Sequence, residues 1–98
     1  MSIENPAKKA VQDKFEAQVK TVEAKLDNLK AKAETAKAIA ELKAIADLVT
    51  KKHTIDQKLS DLKKTSESTY QQAKADIESR VAELEKSVQS MEAKFKAA

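Results

Sequence analysis

Val49-Thr50-Lys51-Lys52-His53-Thr54-Ile55 lies at the middle of the chain, and how it is read decides the fold. Apolar residues recur every three or four positions on both sides of it, while Thr50 to Thr54 are all polar. Thr54-Ile55-Asp56-Gln57 has the form of a capping box, with Thr54 as N-cap and Gln57 three residues later. Asp56 then falls in a first turn, at the positive end of a helix dipole. Lys51 and Lys52 fall at the negative end of the helix before it. This pattern predicts a polar turn over residues 50–54 between two long helices. The competing reading is an unbroken helix, since Lys and Thr are tolerated in helices and no glycine marks a C-cap.

Outward from this segment, little opposes helix. The chain has no glycine and no cysteine, and its single proline is Pro6. Asn5 is a suitable N-cap, and Pro6 then takes the first helical position, where its missing N–H costs nothing. The apolar stripe runs Val11, Phe15, Val19, Val22, Leu26, Leu29, Ala33 and Ala36, with heptad steps of four and three over its later part. It then widens through Ile39, Leu42, Ile45, Ala46, Leu48 and Val49. In the second half it runs Ile55, Leu59, Leu62, Ser66, Tyr70, Ala73, Ile77, Val81, Leu84, Val88, Met91 and Phe95. The weakest stretch is Thr65-Ser66-Glu67-Ser68-Thr69, whose hydroxyls compete for backbone groups.

The expected fold is therefore all-α, a single helical domain over residues 1–98. One helix spans 5–49, a turn spans 50–54, and a second helix spans 54–96. The two form an antiparallel, coiled-coil-like hairpin. The alternatives are a three-helix arrangement with a further break near Thr65–Thr69, and one long rod. A two-helix hairpin cannot cover its whole stripe, least of all where the face widens at Ile39–Val49. Pairing of two hairpins into a four-helix bundle is the expected remedy. The residues assigned to this core or interface are Val19, Val22, Leu26, Leu29, Ile39, Leu42, Ile45, Val49, Ile55, Leu59, Leu62, Tyr70, Ile77, Val81, Leu84, Val88 and Met91.

Composition argues against most chemistries. There are 19 Lys and Arg against 16 Asp and Glu, for a net charge of +3, and only Arg80 is arginine. Arg is the preferred fork for phosphate and base edges, so nucleic-acid binding is a weak expectation. His53 is the only histidine, and two lysines precede it, which makes a poor metal site. Without glycine there is no phosphate cradle or nucleophile elbow. No enzymatic activity, cofactor or small-molecule substrate is expected. Lys51, Lys52 and His53 are the candidate contacts for an anion, set on the expected turn.

Acids stand three or four residues before bases along most of the chain, as in Asp47/Lys51, Asp76/Arg80, Glu16/Lys20 and Asp61/Lys64. Each such pair contributes about 0.2–0.5 kcal/mol to a helix and accounts for the charge without a ligand. The N-terminal stretch lacks the apolar core of a secretory signal, so a cytoplasmic location is expected.

Ala24-Lys25-Leu26-Asp27-Asn28-Leu29 resembles outer-membrane lipoprotein coiled coil, but the lipid-bearing cysteine has no counterpart here. The Lys- and Ala-rich composition is similar to that of granule-coating phasins. The leading expectation is a structural or adaptor protein whose partner is itself, as a homodimer, or another helical protein. A lipid- or granule-surface coat comes next, and a nucleic-acid-associated dimer last.

Overall fold

The structure is a computed structural model and describes residues 6–97. It is all-helical, with three helices and no strand among the described residues: α1 Pro6–Thr35, α2 Ile39–Leu62 and α3 Glu67–Ala97. The expected cap Asn5 lies outside the described residues. Each helix packs on the other two, in a body of 54 × 18 × 17 Å.

The two-helix layout is corrected at both of its boundaries. Residues 50–54 are helical and belong to the interior of α2. The chain instead reverses at 36–38 and again at 63–66. The reason for continuity at 50–54 lies in the buried face of α2. Ile45, Leu48, Ile55, Leu59 and Leu62 are buried, and their steps are those of a heptad if Lys52 fills the place between Leu48 and Ile55. The stripe does not stop there. A lysine stands in it, and its methylene stem can cover apolar neighbours while the ammonium reaches out.

The reversal at 36–38 follows from a change of phase. The buried face of α1 is Phe15, Val19, Val22, Leu26, Leu29 and Ala33. From Ala33 to Ile45, at 3.6 residues per turn, the apolar direction rotates by about a third of a turn. On one straight helix the two stripes would face different ways. Folding back brings both onto one core. Thr35 ends α1, and the closing hydrogen bonds are those of a Schellman motif: Ala38 N–H to Ala33 O at 2.9 Å and Lys37 N–H to Glu34 O at 3.1 Å. Lys37 takes the left-handed position at φ 55°, the only positive φ among the described residues. Ala38 then caps α2 without any side-chain hydrogen bond.

The second reversal uses different chemistry. The Lys64 and Thr65 N–H groups bond back to Asp61 O and Leu62 O, tightening the end of α2. The Thr65 hydroxyl donates to Asp61 O at 2.8 Å. The Ser66 hydroxyl lies 3.3 Å from that of Thr69, and the Thr69 N–H reaches Ser66 O at 3.2 Å. A break thus occurs near Thr65–Thr69, as in the three-helix alternative, but the other break lies at 36–38 and not at 50–54.

All three helices contribute to one apolar cluster. From α3 come Tyr70, Ile77, Val81, Leu84, Val88 and Met91, with Ala73 and Phe95 half-buried against them. No charged residue is buried among the described ones.

Candidate interaction surface

The residues assigned to a core or interface divide between inside and outside. Val19, Val22, Leu26, Leu29, Ile45, Ile55, Leu59, Leu62, Tyr70, Ile77, Val81, Leu84, Val88 and Met91 are buried within the one chain. Leu42 is half-buried. Ile39 is 68% exposed and Val49 38%, and they are the large apolar side chains left in solvent among the described residues. The third helix thus covers most of the stripe that a hairpin would leave open. What remains is an edge of α2 through Ile39, Leu42, Ala46 and Val49, spaced three, four and three. That spacing keeps the four on one line along the helix.

Lys51, Lys52 and His53 do not form a turn. They occupy three successive directions around α2, and carboxylates already engage both lysines. The Lys51 ammonium lies 3.5 Å from Asp47. Lys52 Nζ donates to Asp56 Oδ2 at 2.8 Å and lies 3.1 Å from Glu23 Oε2 of α1, with its side chain only 15% exposed. The hydrogen bond to Asp56 raises the Lys52 pKa above its ordinary value; partial burial opposes this and Glu23 adds to it. His53 is exposed. The segment stitches α2 to α1 and presents no cluster of uncommitted cations.

Other ion pairs also link helices. Lys63 of the reversal at 63–66, hereafter the lower reversal, reaches Glu16 of α1 at 3.3 Å. Lys58 of α2 reaches Asp76 of α3 at 3.1 Å, and Lys25 of α1 approaches Glu92 of α3 at 3.9 Å. Asp76 also accepts from the Arg80 guanidinium at 3.1 and 3.2 Å. Lys58 first, and Arg80 after it, hold the Asp76 carboxyl below its ordinary range. Such exposed pairs contribute little to stability. They do, however, set which helix faces which. Glu16 serves Lys63 of another element, a use that helix spacing alone did not suggest.

An open groove between α2 and α3, with a volume near 380 Å³, is lined by Ile55 and Leu84. Lys51, Arg80 and Lys86 stand at its edge beside Glu83. Two of these cations are the ones already paired with Asp47 and Asp76, so the groove has no strong excess of positive charge. Tyr70 is buried near the lower end, with the Lys8 ammonium 4.7 Å from its ring centre. Its hydroxyl makes no hydrogen bond. Burial pushes its pKa up. No group of three or more His, Cys, Asp or Glu side chains converges to hold a metal among the described residues. No described helix is long and apolar enough to cross a membrane.

Comparison of the chain with known protein families, with curated proteins and with solved structures finds no match.

Proposed function

We propose that this chain is a non-enzymatic structural or adaptor protein that works by protein–protein association along the outer edge of α2. The observation that carries the reading is the line Ile39, Leu42, Val49. It stays exposed or half-exposed while the rest of the apolar stripe is internal. A helix of a partner, from a second copy or from another helical protein, would lie along it as a fourth helix. A contact this small falls well below the roughly 1,200 Å² of a stable interface and so gives weak association.

Sedimentation equilibrium from micromolar to millimolar concentration tests this. The wild type should associate at the upper end, and Ile39→Asn combined with Val49→Asn should weaken that association at least about tenfold, with helicity unchanged. A monomer at every concentration, whose helicity rises on adding anionic vesicles, would replace this reading with the lipid-coat one. We expect no such rise, because acids alternate with lysines along all three helices and oppose an anionic surface as much as they favour it.

A further inference from the structure

The first reversal is built from residues that prefer to continue a helix. Thr35-Ala36-Lys37-Ala38-Ile39 has no glycine, asparagine or proline, and Ala and Lys are among the strongest helix formers. Lys37 nevertheless holds a left-handed backbone, a conformation that disfavours a residue bearing a Cβ by about tenfold. Ala38 supplies no capping oxygen. Local preference and global fold therefore conflict at this one place. The bend persists because the buried faces of α1 and α2 must reach one interior.

A second copy of the chain meets the same need without the bend. We propose that this protein forms an exchanged dimer, in which residues 36–38 straighten and α1 of each copy packs against the α2–α3 pair of the other. Pro6 to Leu62 then becomes one helix roughly 85 Å long. The third-of-a-turn offset between the two stripes is harmless there, because each half of the long helix lies in a different bundle. The packing inside each bundle is unchanged, the Lys52–Glu23 and Lys25–Glu92 pairs included, but these pairs now join two chains. The lower reversal stays closed, held by the Thr65 and Ser66 hydroxyls in ordinary backbone geometry. Ile39, 68% exposed, directly follows the bend. In the exchanged form it lies where the two straightened segments meet, and it gains a cover that the closed chain does not provide. This rests on the reading that the chain associates with protein, and it names the partner and the element exchanged.

The test is to unfold the full chain, refold it at millimolar concentration and separate species by size. A short bismaleimide then joins Glu23→Cys to Lys52→Cys, and in a second variant Lys25→Cys to Glu92→Cys. The protein has no cysteine of its own, so each linkage is unique. The expected result is a dimer with the linker between chains, beside a monomer with the linker inside one chain. Lys37→Gly, which relieves the bend and weakens the straight helix in both copies, should raise the dissociation constant about a hundredfold or more. A dimer whose linker stays inside each chain would overturn the exchange and leave association along α2 standing. Monomer alone at millimolar concentration would overturn it as well, as would a dimer indifferent to Lys37→Gly.

Discussion

The two reversals of this chain reach the same geometry by opposite means. At 63–66 the residues favour a break: the Thr65 hydroxyl donates to Asp61 O, the Thr69 hydroxyl donates to Ser66 O, and the Ser66 hydroxyl pairs with that of Thr69. At 36–38 the residues favour continuity, and the chain turns through Lys37 at φ 55°. The turn at 63–66 is local in origin and the turn at 36–38 is tertiary. A turn imposed from outside its own sequence needs a compensating core, and here that core is the meeting of Leu29 and Ala33 with Ile45 and the helices around them.

The largest effect should come from the packing that both turns depend on. Leu62, 2% exposed at the end of α2, should cost about 2–5 kcal/mol when replaced by Ala. Urea unfolding measures this. A loss below about 0.5 kcal/mol would mean that the lower reversal stands without its core. Glycine scanning then separates the two turns. Lys37→Gly should stabilise by about 1 kcal/mol, since glycine takes the left-handed position freely. Lys63→Gly, at φ −61°, should instead destabilise by about 0.5–1 kcal/mol. Equal signs for the two would erase the contrast.

A smaller effect is expected at the segment between the turns. Lys52→Met keeps the stem and removes the ammonium. The change should be within about 1 kcal/mol of neutral, because surface ion pairs contribute little and the position already lies in the apolar seam. A collapse of stability would mean that the Glu23 and Asp56 contacts, and not the stem, hold α2 to α1.

Alkaline pH tests Lys52 in the middle of α2 and Tyr70 at the start of α3. The folded-state pKa of Lys52 is raised above its ordinary 10.5 and that of Tyr70 above 10.0. For a raised group the stabilising difference is complete below the unfolded value and fades as pH climbs through the folded one. Thermal stability should therefore fall above pH 10, and Tyr70→Phe with Lys52→Met should flatten the decline. At neutral pH, Tyr70→Phe alone should be neutral or slightly stabilising, because it removes a buried hydroxyl that has no partner.

Much of the architecture was legible in the sequence, though not all of it through turn residues. The helical class followed from the absence of glycine and from period. The break near Thr65 was legible from hydroxyl chemistry only as an alternative to an unbroken helix over 54–96, and that alternative kept the turn at 50–54. The reversal at 36–38 carried no turn signal. Its trace was a shift of phase between Ala33 and Ile45, which reads as a widened face when the stripe is assumed to run straight through. The expected turn at 50–54 arose from counting Lys52 as polar, although its position continues the heptad from Leu48 to Ile55. Of the candidate surface, Ile39 and Val49 belonged to that widened face. Their exposure depended on a third helix covering the rest, which only the fold determines.

The chain reverses at 36–38 and 63–66 instead of once at 50–54. Spin labels at Ala10 and Ala93, both exposed, decide it in a dilute sample, since the chain has no cysteine to compete for label. In the three-helix arrangement α1 and α3 run parallel and the labels sit toward opposite ends, about 25–35 Å apart at 1.5 Å of rise per residue. A single population at that distance is the predicted result. A distance of about 10–15 Å would return the reversal to residues 50–54, and one above roughly 100 Å would make the chain a rod; either would contradict reversal at 36–38 and 63–66.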